Sequence, residues 1–261
     1  MTDMLTSYDP RTELPVGEVP ITAPEEVPAM VERSRKAFAE WKLLSHKERR
    51  EHLKRFKDVV LAEGESVAEV VRSETGKPLI EAYSTDVVPA LTVMDYYIRN
   101  AEKLLRPRRG GSWPFIITKG WTEYHPRGVA GVITPWNYPF FLAMIPVITA
   151  LSAGCSVVLK PSEITPLTGQ LFADLADQAG LPPDLLQVIH GDGTTGAALA
   201  QSPINVLSFT GSTKVGKLVA TEAARRLTPV VLELGGNDAM VVLEDADLKQ
   251  TARAAVWGGM L

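Results

Sequence analysis

From Gly128 onward, short apolar runs alternate with longer helical stretches, and this alternation constrains the fold more than any other feature of the chain. The runs span 129–134, 156–160, 185–189, 206–210, 230–234 and 240–243. Between them, 139–153, 166–179, 195–201, 215–226 and the residues from Asp247 onward read as helices. Such strands are too uniformly apolar to leave one face in water. Joined by helices, they predict a parallel, doubly wound α/β sheet with helices on both faces.

The first hundred residues read differently. Val27, Met30, Val31, Phe38 and Trp41 recur at helical spacing. Ser45 followed by Glu48 predicts a capping box opening a second helix, with Leu53, Phe56, Val59 and Val60 facing inward. A third helix is expected over 66–75, ending at Gly76 with Pro78 beyond it. A fourth runs from about Leu79 to Leu105, and Pro89 should kink or break it. After the break at 107–111, Ile116, Thr118, Gly120, Thr122 and Tyr124 alternate as in a hairpin or edge strand.

Composition excludes several classes of function. The net charge is −4, and the one basic cluster, Arg106, Arg108 and Arg109, is broken by Pro107, so no nucleic-acid surface is expected. The longest apolar run, 140–151, is too short for a bilayer and contains Pro146. Residues 1–10 are polar and show no leader, and the single cysteine, Cys155, cannot form an internal disulfide. A cytoplasmic protein without membrane partners is expected. The four histidines, His46, His52, His125 and His190, are dispersed, so no metal site is expected.

Four segments carry chemistry, and each also has a plainer structural reading. Thr134-Pro-Trp-Asn-Tyr-Pro139 follows a strand, where α/β sheets bind ligands. Asn137 can donate to a developing oxyanion, or it can simply shape a turn between two prolines. In Lys160-Pro-Ser-Glu163, the two charged side chains can share a ribose, with Glu163 repelling a 2′-phosphate, or form a surface ion pair of little worth. Phe209-Thr-Gly-Ser-Thr-Lys-Val-Gly216 offers backbone amides and the Ser212 hydroxyl at a helix start, a setting for phosphate. The upstream turn, Gly191-Asp-Gly-Thr-Thr-Gly196, reads first as a plain β-to-α connection. In Leu232-Glu-Leu-Gly-Gly-Asn-Asp238, burial at an apolar strand end should raise the pKa of Glu233 and make it a general base; the alternative is a carboxylate satisfied by the Gly-Gly turn.

Taken together and in this order, these segments resemble the aldehyde dehydrogenase superfamily, as does Glu74-Thr-Gly-Lys-Pro78; the resemblance extends from Tyr8 to Trp257. It implies a Rossmann-type NAD(P)-binding domain over 1–107 and 127–236, an oligomerisation arm over 108–126, and the first strand and helix of a truncated catalytic domain over 237–261. It implies that Glu233 activates the deacylating water and that Asn137 donates to the oxyanion. Lys160 and Glu163 become ribose ligands, and Gly211 and Ser212 the pyrophosphate turn. Ile133, Pro135 and Trp136 become cofactor-pocket wall, and Gly193 flanks the adenine. Leu142 and Met144 approach the substrate tunnel or belong to helix core. The cofactor is NAD, with NADP as the alternative, and the substrate is a small aldehyde.

The family's nucleophilic cysteine falls in a Gly-Gln-x-Cys-like segment after the helix beginning near Asp247, beyond the last residue here. Cys155, between a helix and a strand, reads as an inert buried thiol. The expectation is therefore a chain inactive alone, its homo-oligomer compromised by truncation. The alternatives are half of a split enzyme completed by a second chain, or a non-enzymatic dinucleotide-binding module.

Overall fold

The structure is a computed structural model that describes residues 3–110 and 118–260. The chain opens on an antiparallel hairpin, β1 (Met4–Tyr8) with β2 (Pro15–Pro20). Sequence pattern gives no sign of it, because Ser7 and Val19 are the only buried residues of its two strands and prolines bound β2.

Helices α1 (Val27–Trp41), α2 (His46–Ala62) and α3 (Gly64–Thr75) follow. The capping box forms as expected. Ser45 Oγ accepts from the Glu48 amide at 3.3 Å, and the Glu48 carboxylate accepts from the Ser45 amide at 2.7 Å. Helix α3 begins two residues before the expected start and ends on Gly76, whose φ of 75° is the left-handed closure that glycine permits. The expected long helix is divided into α4 (Leu79–Ala82), a π-helical turn (Tyr83–Val87) and α5 (Val88–Leu105). The break falls before Pro89, which therefore sits in the first turn of α5, where its missing N–H costs nothing. Two short strands, β3 (Arg108–Gly110) and β4 (Gly120–Thr122), pair antiparallel. Ile116 of the expected alternation lies outside the described residues.

The five-stranded parallel sheet comprises β5 (Val129–Ile133), β6 (Ser156–Lys160), β7 (Leu186–Val188), β8 (Val206–Gly211) and β9 (Val230–Leu234), in the order β7-β6-β5-β8-β9. Every residue of β5 and β6 is buried, which is why these strands read as unbroken apolar runs. Ala130, Val132, Val157 and Leu159 pack against α2, α3, α5, α6 (Phe141–Ser152) and α7 (Pro166–Gln178). Val129, Ile133, Val158, Leu207 and Phe209 pack against α1, α8 (Gly193–Gln201) and α9 (Thr213–Ala224) on the opposite face. Strand order reverses between β5 and β8, which puts the ligand crevice beyond their carboxyl ends.

One expected strand does not form. Residues 240–243 pair with no strand among the described residues, and Val241 is 80% exposed. A strand needs a neighbour to take its N–H and C=O groups, and no described strand pairs with this segment. The chain then enters α10 (Leu248–Met260), started by Asp247, whose carboxylate accepts from the amides of Lys249 and Gln250.

Candidate functional site

The candidate residues gather beyond the carboxyl ends of the parallel strands. Ile133, at the end of β5, is buried and lies in register with Lys160 on one side and Phe209 on the other. The loop after it holds half-buried Pro135 and exposed Trp136 and Asn137. Its first residue, Thr134, donates its amide to the Lys160 carbonyl at 3.2 Å.

Lys160 is not in a surface pair. It is 4% exposed, and its Nζ lies 3.0 Å from Oε2 of Glu163, whose side chain is nearly half exposed. A buried ammonium carries three donors and is costly to leave unpaired, and Glu163 accepts from one of them. His190, at the end of β7, also feels this charge. Burial first, and Lys160 second, push its pKa down to about 4, so it is neutral at physiological pH. His190 is held through Nε2 to Gln170 at 3.0 Å, and Nδ1 is buried without a partner.

Gly193 is exposed, and a Cβ there would meet nothing within 4 Å. Gly196, one helical turn on, stands against the stem of Lys160 and the side chain of Ile133. It is the α8 residue that closes on the site. Sequence reading missed Gly196 and His190; the helical spacing from Gly193 and a histidine ending an apolar strand were the available signals.

At the end of β8, a Cβ on Gly211 would come within 2.7 Å of the buried Phe209 ring, which would have to shift. Ser212 is exposed and caps α9, its Oγ accepting from the Val215 amide at 3.2 Å. The start of α9 therefore faces solvent with amides directed outward, a setting for an anion.

Glu233 is exposed, not buried as expected. It lies in β9, at the edge of the sheet, paired among the described residues with β8 alone.

A cleft of about 1190 Å³ runs along the face that α6 leaves open over β8 and β9. Ala130, Val132, Val206 and Val231 contribute to its floor and Leu142 and Ile145 to its wall. Asn137, Pro135, Gly211 and Glu233 all line it. The structure thus brings the candidate oxyanion donor and the candidate base into one space. Ile133, Trp136, Lys160, Glu163, Gly193 and Ser212 are not part of its lining. Met144 belongs to helix core, with no exposure.

Cys155 is buried and lines the other end of the cleft, just before β6. It precedes the residue in register with Val129, about six residues of strand from the level of Glu233, or roughly 20 Å at the rise of a β-strand. It cannot act with Asn137 and Glu233. Among the described residues no cluster of three or more His, Cys, Asp or Glu is placed to hold a metal, and no helix is long and apolar enough to cross a membrane.

Strand order and strand-end geometry define a doubly wound α/β protein of the Rossmann type. The chain belongs to the aldehyde dehydrogenase family, whose model matches residues 2–261. It is 40% identical over 245 residues to a 4,4'-diapolycopene aldehyde oxidase of Methylomonas sp, covering 93% of this chain and 46% of the relative. It is 37% identical over 257 residues to a geranial dehydrogenase of Castellaniella defragrans, covering 96% of this chain and 52% of the relative. Among solved structures, succinate-semialdehyde dehydrogenase from Burkholderia pseudomallei superposes with a TM-score of 0.92 at 33% identity, covering 98% of this chain and 53% of that one. Betaine aldehyde dehydrogenase from Staphylococcus aureus, solved with NAD+, gives 0.92 at 30% identity, covering 98% and 52%. The chain spans about half the length of these relatives.

Proposed function

We propose that this chain provides the cofactor-binding part of an NAD(P)+-dependent oxidation of an aldehyde to a carboxylic acid. The observation that carries this reading is the convergence of Asn137 and Glu233 on one cleft, beside the Lys160–Glu163 pair and the Gly211–Ser212 turn at adjoining strand ends. The residues fit a dinucleotide. Lys160 presents a buried ammonium with donors beyond the one Glu163 uses, and the α9 amides open at a turn where a Cβ on Gly211 would press on the Phe209 ring. When bound, the nicotinamide supplies a hydride acceptor.

Each residue then has a task. Lys160 and Glu163 hold the two ribose hydroxyls, one donating and one accepting. Glu163, on the solvent side of the pair, disfavours a 2′-phosphate and inclines the site to NAD over NADP. Gly211, Ser212 and the α9 amides hold the pyrophosphate. Ile133, Pro135 and Trp136 wall the pocket, and Gly193 lies at its adenine end, with Gly196 closing on Lys160. The Asn137 carboxamide donates to the aldehyde oxygen as it gains charge. The Glu233 carboxylate is placed to take a proton from a water that attacks the substrate carbon. The nucleophile is not Cys155. The paired strands β3 and β4 belong to the arm through which copies of the whole protein would associate.

Calorimetric titration with NAD+ and NADP+ tests this reading. NAD+ is expected to bind more tightly. Lys160→Met should weaken both by about tenfold or more, the loss of a charge-assisted hydrogen bond in a buried site. Glu163→Gln should narrow the gap between them. Binding that is indifferent to both substitutions would contradict the assignment.

A further inference from the structure

Helix α6 has no cap of its own. Phe140 occupies its N-cap position in helical conformation and makes no side-chain bond to the first turn. The amides of Phe140 and Phe141 donate instead to Oδ1 of Asp86, at 3.1 and 3.2 Å. Oδ2 of the same carboxylate accepts from Lys77 Nζ at 3.0 Å. That ammonium also lies 3.8 Å from the centre of the Tyr138 ring. Asp86 is wholly buried, and the π-helical turn Tyr83–Val87 delivers it to this position.

The Asn137 loop is therefore held at both ends. Thr134 is fixed to β6 through the Lys160 carbonyl. Tyr138, Phe140 and Phe141 are fixed through Lys77 and Asp86. An anion at a helix start, charge-assisted hydrogen bonds and a cation over an aromatic face all favour this arrangement. An oxyanion donor works only if it is held to within about half an ångström of its place.

We propose that Lys77 and Asp86 are positioning residues for Asn137, a charged clamp that sets where the carboxamide enters the cleft. The proposal rests on the reading of Asn137 as the oxyanion donor. The segment that carries Lys77 contains its own control. Glu74, also buried, accepts from the Leu167 and Thr168 amides at 2.8 and 2.7 Å, at the start of α7. It acts on the loop after Lys160, not on the loop that holds Asn137.

The test uses the 261-residue chain labelled with 5-fluorotryptophan, which reports on Trp136, the neighbour of Asn137. Its fluorine resonance is assigned by its loss in Trp136→Phe. In Lys77→Met it should shift and broaden while the remaining tryptophan resonances hold. Lys77→Arg should restore it, and Glu74→Gln should leave it in place. A Trp136 resonance unmoved in folded Lys77→Met, or moved equally by Glu74→Gln, overturns the proposal. Amide exchange in the unmodified chain tests the clamp without any variant. Phe140 and Phe141 amides should exchange far more slowly than those of Thr213 and Lys214 at the exposed start of α9, and equal rates overturn it. An NAD+ titration of the unmodified chain is the separate test of the site reading. A chain that binds no nucleotide but keeps the fluorine pattern would strike the reading and leave the clamp standing.

Discussion

The strands at the centre of the sheet and the segment after it are built from the same residue types but differ in what covers them. Val158 in β6 is wholly buried, whereas Val241 is 80% exposed. Every residue of β5 and β6 is buried, and none from 229 to 259 is. Burying a valine side chain stabilises a fold by about 2 kcal/mol. Identical side chains therefore contribute strongly in one region and almost nothing in the other. Apolar content does not decide what is structural; the presence of a second layer does.

The largest expected effect lies in the sheet's core. Phe172 is fully buried and stacks 4.9 Å from Phe140. Phe172→Ala should cost about 3–5 kcal/mol, read from the denaturant midpoint. A loss under about 1 kcal/mol would mean that this region is no better packed than the exposed segment.

His190 gives the next effect, and its sign follows from burial. Folding lowers its pKa from 6.5 to about 4. Its neutral form therefore contributes stability that is complete above pH 6.5 and is lost as pH falls toward 4, up to roughly 3 kcal/mol. His190→Gln should flatten stability across that window. An unchanged acid slope would place the acid sensitivity elsewhere.

Glu74 has the opposite sign. Burial raises its pKa even though Ser7 Oγ, the Leu167 and Thr168 amides and Thr168 Oγ1 all donate to it. Glu74→Gln turns an amide N–H₂ toward these donors and should cost about 2 kcal/mol. The folded state favours the protonated acid, so Glu74's contribution is complete at low pH and falls as pH rises through the raised pKa. The gap between the two chains should be widest in acid and narrow toward neutrality. A gap that widens with pH would reverse the assignment.

The smallest effect belongs to the exposed segment. Trp257→Ala should change stability by less than about 0.5 kcal/mol, because Trp257 is 71% exposed. A cost above about 1 kcal/mol would show that α10 packs against something in solution.

Legibility in the sequence follows the same division. The order of β5 to β9 and their helices could be read because doubly covered strands must be apolar throughout. The Ser45 capping box and the Gly76 closure could be read because their chemistry is local. Hairpin β1–β2 was missed because it buries too little to leave a pattern. Residues 240–243 look like a strand by residue type, but pairing depends on a neighbour that sequence does not show. Glu233 was expected to be buried because its neighbours are apolar, yet β9 lies at the sheet's edge. Among the site residues, the loops could be located while their supports could not. The burial of Lys160, the approach of Gly196 and the clamp through Asp86 all join residues far apart in sequence.

Hydrogen exchange measured with and without NAD+ tests most directly the proposal that the sheet and its helices bind a dinucleotide without help from residues 235–260. NAD+ should slow exchange in peptides covering 160–164 and 211–216 and leave 235–260 exchanging rapidly in both states. No added protection at either loop, or slow exchange across 235–260 in the chain alone, would contradict the account.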